Sequence, residues 1–357
     1  MSQAPARKLR TWSGFGQIRR KPSEYEIVTH DANYTTRKNR SSALEGNPTT
    51  PVNMWFLTYR DHSPLSAEDW DGFRDPDEVT YRKYVTMQDE QETVVEGILD
   101  EFGKVNHDVT LSPQWVQVLA TVFTPMRYPN HALQMLQAYL GQVAPTSYIT
   151  NCAAFATADQ LRLVSLVAYR TRQLQLAHPD ARFATGERRI WETHPDWQPT
   201  RRALETALTA YDWGECLTAV NLVLRPTLSE ILLRQLGIVA DANHDQLTWL
   251  LLSNLAIDAE RNARWSAALA RYAIAQRSEN TAVLRRWVQR WIPRADEAAA
   301  GLAHMLAELP EVGRDEETTI TAAQAARERV LVDAGVLAAI PLDMRKRSPV
   351  KPYGSGI

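Results

Sequence analysis

The sequence predicts an all-α protein, and three observations lead to that class. Glycine is scarce, at 15 of 357 residues, while Ala, Leu and Arg are abundant, which favours helices over an α/β fold with glycine-rich turns. Apolar residues recur at three- and four-residue spacing over long stretches, and no useful length of strand-like alternation is present. The composition, 44% hydrophobic and 23% charged, is that of an ordinary globular chain.

The helical pattern extends along most of the chain. Helices are predicted at 85–102, 114–125, 130–143, 151–176, 202–210, 212–222, 227–236, 250–277, 281–292, 295–308 and 322–339. Pro145, Pro226, Pro293 and Pro310 are predicted to end or interrupt helices, because proline lacks the backbone N–H that a helix needs. Residues 240–245 are predicted to form a loop.

Three parts of the chain differ in composition. At the N-terminus, basic residues far outnumber acidic ones and large aromatic groups stand singly among them, as at Trp12, Phe15 and Tyr25. Isolated aromatic anchors are typical of a strap that binds another surface, whereas a disordered tail has few aromatics. A disordered basic tail stays open as the alternative. The predicted organisation is an extended basic and aromatic arm over 1–53, a helical domain over 54–310, and a C-terminal helix with a loose tail over 311–357.

Charge, cysteine content and hydropathy exclude several classes of protein. A net charge of -2 gives no whole-chain argument for nucleic-acid binding. The two cysteines, Cys152 and Cys216, lie in apolar helical contexts, so neither a disulfide framework nor a zinc site is supported. The N-terminus lacks an apolar signal core, and no membrane-spanning stretch is evident. We therefore expect a soluble, cytoplasmic protein.

Two long helical stretches are predicted to form the centre of a four-helix core. Each carries Asp-x-x-Arg on a face that also holds large apolar groups, at Asp159/Arg162 and at Asp258/Arg261. The structural interpretation is a set of buried, mutually paired charges that fixes the register of the helices. Breaking such a pair costs about 3–5 kcal/mol if one partner is removed.

In a metal-binding bundle, the same two helices would carry metal ligands. Di-iron carboxylate bundles use Glu from two helices and Glu-x-x-His from the other two. The corresponding positions here hold Gln160 and Leu163 on one helix, and Ala259 and Asn262 on the other. No His and no Glu remains at these positions, so the sequence predicts no metal site in this chain.

Other catalytic patterns are also missing. The sequence has no Gly-x-Ser-x-Gly, no phosphate-binding loop and no dinucleotide fingerprint. Asp212 and Glu215 are explained as the start of a helix, with Asp212 as the N-cap. Cys216 has no histidine near it in sequence and is predicted to be a core residue.

Several motifs, in order along the chain, carry a resemblance to a known family. They are Arg10-Thr-Trp12, Lys21-Pro-Ser-Glu-Tyr-Glu-Ile-Val28, Trp70-x-x-Phe73-x-Asp75-Pro76, Tyr81-Arg82-x-Tyr84-x-x-Met87-Gln88, Tyr211-Asp-Trp-Gly-Glu215 and Asp258-Ala-Glu-Arg-Asn-Ala-Arg-Trp265. The chain resembles the β subunit of the hydroxylase component of bacterial multicomponent di-iron monooxygenases, which act on toluene, phenol and alkenes. The resemblance extends to about residue 293.

This resemblance implies a ferritin-like helical bundle with extra helices and a non-catalytic structural role. It implies a partner α subunit that carries the di-iron centre, a γ subunit in an α2β2γ2 assembly, and a reductase, a ferredoxin and an effector protein. No cofactor is then expected in this chain. Arg225 is expected near the position of a further ligand Glu, and the arm is expected to bind the α subunit.

Two other functions stay open at this point. A free-standing ferritin-like oxidase would need unconventional ligands such as Asp159, Glu260, Asp241 and His244, the last two forming the acid-x-x-His of the chain. A helical binding scaffold unrelated to oxygenases is the weaker alternative.

Overall fold

The computed structural model describes residues 20–32, 50–308 and 313–338. Within these ranges the regular structure is helical and no strand is present, which confirms the all-α class. Trp12, Phe15 and the C-terminal tail lie outside the described residues. Their predicted roles, and the boundaries of the three predicted parts, therefore stay predictions.

The helices are labelled in chain order. Two are short helices near the start, α1 (Glu24–Thr29) and α2 (Pro51–Phe56). The others are α3 (Tyr81–Lys104), α4 (Pro113–Val118), α5 (Arg127–Val143), α6 (Ser147–Ala177), α7 (Glu187–Thr193), α8 (Gln198–Ala207), α9 (Trp213–Ala242), α10 (Gln246–Gln276), α11 (Asn280–Ala307) and α12 (Glu316–Asp333).

Four of these helices, α5, α6, α9 and α10, pack side by side around a common core. Helix α3 packs against α10 and reaches the seam between α10 and α6 through its side chains. Helices α8, α11 and α12 cover the other side. The fully buried residues include Trp115, Trp197, Trp213 and Trp291, so much of the tryptophan excess lies in the core.

Helix α9 is continuous where the sequence predicted an interruption at Pro226. The turn before the proline is π-helical, over Thr218–Leu224, and the N–H of Arg225 bonds to the carbonyl of Val220. This wider turn accommodates the proline ring, which would otherwise clash with a carbonyl of the preceding turn. By length and composition α9 is apolar enough to cross a membrane, but 83% of its apolar window is buried inside the chain, as in a core helix.

Two further predictions at helix ends were wrong. Helix α11 passes through Pro293, where a break was predicted. Pro293 and Gln289 both lie on the exposed face, so water can hydrate the carbonyl oxygen that loses its N–H partner. The predicted loop at 240–245 is shorter than expected, because α9 extends to Ala242.

The described part of the N-terminal arm docks on its own chain. Ser23 and Glu26 form a capping box at the start of α1, and the buried Glu26 carboxylate accepts hydrogen bonds from Arg20 and Arg74. Tyr25 is 2% exposed and packs on Tyr148 of α6, with ring centroids 5.7 Å apart. Tyr25 therefore makes an intramolecular contact, and its predicted part in binding a partner stays a prediction.

Candidate functional site

The two Asp-x-x-Arg motifs meet inside the bundle, and their ion pairs cross between the helices. Arg261 of α10 donates to Asp159 of α6, and Arg162 of α6 donates to Asp258 of α10 across 2.9 Å. Arg261 also contacts Asp258 on its own helix, at 3.2 Å. Because each strong bond joins α6 to α10, the four charges tie the two central helices together at one level.

Helix α3 closes this cluster from outside. The hydroxyl of Tyr84 donates to Asp159 across 3.0 Å, and the amide of Gln88 bridges Asp159 and Asp258 at 3.3 and 3.1 Å. Asp159 and Asp258 are each only 3% exposed. Every carboxylate is thus sealed from water and engaged by several donors, which is the condition under which buried charges are tolerated.

Burial decides the electrostatics of the cluster. It raises the pKa of Asp159 to about 6, with the neighbouring charge of Asp258 acting in the same direction and Arg261 opposing it. Burial lowers the pKa of Arg225 to about 10, against the opposing effect of the two aspartates. Desolvation is therefore the largest influence on both pKa values, and the opposite charges nearby compensate it only partly.

The positions that correspond to metal ligands lie next to this charge cluster. Three of the core helices place polar side chains there that bond to one another. The side-chain amide of Gln160 donates to Asn130 Oδ1 across 2.9 Å, and its oxygen accepts from Arg225 Nε and Nη2 at 3.2 and 3.0 Å. Asn130 lies on α5 and Arg225 on α9. Three helices of the core thus contribute one polar group each to this network.

Helix α10, the fourth helix of the core, and the second predicted ligand position of α6 supply no metal ligand either. Asn262 accepts a hydrogen bond from the indole of Trp265 across 3.2 Å, Ala259 has no polar side-chain atom, and Leu163 of α6 is 5% exposed among apolar groups. Metal ions of the di-iron type need carboxylate and imidazole donors, which none of these side chains provides. Among the described residues no group of three or more His, Cys, Asp or Glu is placed to hold a metal. The residues at this level do not fit a di-iron centre.

The ligands required by a free-standing oxidase are not brought together. Glu260 faces outward and pairs with Arg234. Asp241 and His244 are exposed at the end of α9, and His244 has a φ of 61°. Asp159 is buried in the charge cluster, so the four residues form no common site.

Several functional positions were not identified from the sequence. Asn130 has no local signal, because only the packing of α5 on α6 places it beside Gln160. Tyr84 and Gln88 lie in a motif noted for its family resemblance, but nothing in that motif indicates that both reach the aspartates. The N-cap role of Asp212 is confirmed, since it accepts from the N–H groups of Gly214 and Glu215. Cys216 is fully buried, as predicted.

Comparison with known sequences gives consistent results. A family model described as methane/phenol/alkene hydroxylase matches residues 55–277. The β subunit of the hydroxylase component of the toluene-4-monooxygenase system from Ectopseudomonas mendocina is 42% identical over 306 residues, covering 86% of this chain and 93% of that protein. The small subunit of the hydroxylase component of propane 2-monooxygenase from Gordonia sp. (strain TY-5) is 28% identical, covering 56% of this chain and 54% of that protein.

Solved structures of similar shape include two hydroxylases. A structure of toluene 4-monooxygenase with toluene in the resting active site matches with a TM-score of 0.79 at 41% identity, covering 85% of this chain and 99% of the matched chain. A xenon-pressurised phenol hydroxylase from Pseudomonas sp. OX1 matches with a TM-score of 0.77 at 18% identity, covering 94% and 97%. The second match concerns the fold alone.

Proposed function

Because the chain belongs to the methane/phenol/alkene hydroxylase family, we propose that it is the non-catalytic structural β subunit of a di-iron hydrocarbon monooxygenase. As a subunit of a hydroxylase component it is part of an oxidoreductase complex and has other subunits as partners. The reaction would be the hydroxylation or epoxidation of an aromatic or alkene hydrocarbon with O2 and NADH.

The observation that carries the non-catalytic role is the replacement of the ligand set. Gln160, Asn130 and Arg225 bond to one another at the positions where a di-iron bundle has its metal ligands, although Nη1 of Arg225 has no hydrogen-bond partner. The charge cluster of Asp159 and Asp258 with its arginines then joins the same helices without a metal. The chain retains the bundle and has lost the chemistry that the bundle serves in such enzymes.

The iron is then assigned to a partner. We propose that an α subunit of similar fold holds the di-iron centre, that a γ subunit completes an α2β2γ2 hydroxylase, and that a reductase, a ferredoxin and an effector protein serve it. Support for this comes from the family, whose named relatives include a hydroxylase subunit beta and a hydroxylase small subunit, names that imply further subunits. The substrate would be selected by the pocket of the α subunit.

The complex is proposed to work in the cytoplasm. Cys152 and Cys216 are both free and buried, which is usual for proteins of reducing compartments. Fractionation of the native cells with an antibody to this chain tests the location, and recovery in the periplasmic fraction would contradict it.

A functional experiment separates the structural role from a free-standing oxidase. The chain is co-expressed with the other subunits of its hydroxylase, and hydrocarbon oxidation is measured for the wild type and for His244→Ala. The structural role predicts that the complex forms, that activity depends on the presence of this chain, and that His244→Ala retains full activity. Loss of turnover in an intact His244→Ala complex, or oxidation by the isolated chain, would favour the oxidase.

A further inference from the structure

Helix α6 has an exposed face that is almost free of charge. Its exposed residues are Ala154, Leu161, Ser165, Ala168, Tyr169, Arg172 and Leu176. Leu161, Tyr169 and Leu176 are 45%, 55% and 65% exposed. The opposite side of the same helix is buried in the core and includes polar residues such as Asp159 and Gln160, so it is the exposed face that lacks charge. An exposed helix face with several large apolar side chains and almost no charge is typical of a surface that another protein covers.

Helix α3, which also lies at the surface, shows what a solvent-facing helix of this protein looks like. Its exposed residues include many acids and bases: Arg82, Lys83, Asp89, Glu90, Glu92, Glu96, Asp100, Glu101 and Lys104. The two helices belong to the same chain and differ sharply in this respect. The uncharged face of α6 is therefore a local property and does not reflect a generally apolar surface.

A concave pocket continues this face at the C-terminal end of α6. It has a volume of about 300 Å³, and its lining includes Leu99, Phe102, Val109 and Leu176. Val109 and Leu176 are among the most exposed large apolar side chains, at 61% and 65%, as is the adjacent Val105, at 68%. The lining also includes polar residues, Asn106, His107 and Gln173 among them, so the pocket is mixed in character and has an apolar rim. A concave pocket bordered by exposed apolar side chains is a common form of anchor site in a protein interface.

The charges at this surface restrict what can bind there. In the pocket, Arg170 and Asp108 neutralise each other through two hydrogen bonds of 3.0 and 2.8 Å, so an uncharged side chain is the complementary occupant. On the helix face, Arg172 is the one charged residue and forms no ion pair among the described residues. A second copy of the same face would bring another Arg172 and no carboxylate, whereas a different subunit can supply one.

We propose that the exposed face of α6 and the adjoining pocket form the docking surface for the hydroxylase subunit that carries the di-iron centre. The partner would present an apolar helical face with an uncharged side chain for the pocket and an acidic group near Arg172. Helix α6 has 31 residues and is on the order of 45 Å long, which is enough for the large apolar contact of a permanent complex. This inference rests on the proposed function, because it requires such a partner to exist.

The first test uses the co-expressed hydroxylase with the affinity tag on this chain. Leu161→Glu combined with Tyr169→Glu places two charges in the α6 face, and Val85→Glu combined with Val94→Glu is the matched control on α3, where both valines are exposed at 46% and 54%. We expect the α6 variant to recover at least about tenfold less of the partner subunit, with circular dichroism and melting of the chain unchanged. The α3 variant should recover it in full.

Normal recovery of the partner by the α6 variant would overturn the inference. If wild-type chain recovers no partner subunit at all, the proposed function itself fails, which is a distinct result. Should the α6 variant not fold, a photo-cross-linking residue in place of Tyr169 in the assembled complex decides the question. A cross-link to the iron-carrying subunit supports the docking surface, while a cross-link to a second copy of this chain, to a different subunit, or to none overturns it.

Discussion

The substitution Arg261→Met tests whether the charge cluster holds the central helices together. Asp159 is 3% exposed and accepts hydrogen bonds from Arg261, from Tyr84 at 3.0 Å and from Gln88 at 3.3 Å. Removing the guanidinium leaves a buried carboxylate with two neutral donors and no countercharge from α10. The expected loss in the free energy of unfolding is about 3–5 kcal/mol at pH 7.

The loss should depend on pH in a defined direction. The pKa of Asp159 is raised from 3.8 to about 6, so its contribution to stability is fully present below the unfolded value and is lost as the pH rises through about 6. Without Arg261 the pKa rises further, and the ionised form becomes still less favourable. We therefore expect the destabilisation by Arg261→Met to be at least about 1 kcal/mol larger at pH 7 than at pH 5.

The assay is urea unfolding of wild type and Arg261→Met at both pH values, extended to double-mutant cycles with Asp159→Asn. The crossed geometry predicts a coupling energy between Asp159 and Arg261 well above that between Asp159 and Arg162, although the second pair shares a helix. A loss below about 1 kcal/mol at pH 7 that is the same at pH 5 would refute the electrostatic reasoning. Equal coupling energies for the two pairs would refute the crossed arrangement.

Two further predictions concern local features of the fold. Glu26→Gln should reduce the protection of α1 against hydrogen exchange at pH 7, because two arginines and the Ser23 N–H hold the pKa of Glu26 near 2. The difference in protection between the variant and the wild type should fade as the pH drops from 4.5 toward 2. Equal protection in the two proteins at pH 7 would contradict this. Gly301→Ala should destabilise the chain by about 1–3 kcal/mol, since an added Cβ would collide with the backbone carbonyl of Asp196. The control is Gly97→Ala on α3, where an added Cβ meets no atom within 4 Å and should stabilise the chain by up to about 1 kcal/mol. Thermal melting of both variants measures these changes. An unchanged melting temperature for Gly301→Ala would contradict the close approach of α11 to the backbone of Asp196.

The fold class and the long helices could be predicted because their signal is local. The periodic apolar residues of α6 and α10 lie within single helices, and both helices extend a few residues beyond the predicted start. Pro226 and Pro293 were misjudged for different reasons. A π-helical turn accommodates the first, and solvent exposure compensates the second, and both depend on the surroundings of the helix rather than on its own sequence.

The candidate site was predictable only in part. Spacing placed Asp159 and Arg162 on one helix face and Asp258 and Arg261 on another, but the choice of partner depends on the distance between the two helices. Asn130 lies on a third helix, and its role exists only once α5 packs on α6. The replacement of metal-ligand residues, by contrast, could be read directly from the sequence, because identifying the residue type at a position requires no knowledge of the tertiary structure.

The most direct test of the structural role is the metal content of the chain. Iron is measured by mass spectrometry in the chain expressed alone in iron-rich medium, and again in the complex co-expressed with the other hydroxylase subunits. The replaced ligand positions, Gln160, Leu163, Ala259 and Asn262, predict no stoichiometric iron in the isolated chain and iron in the complex that separates with the partner subunit. Stoichiometric iron bound to the isolated chain would contradict the account.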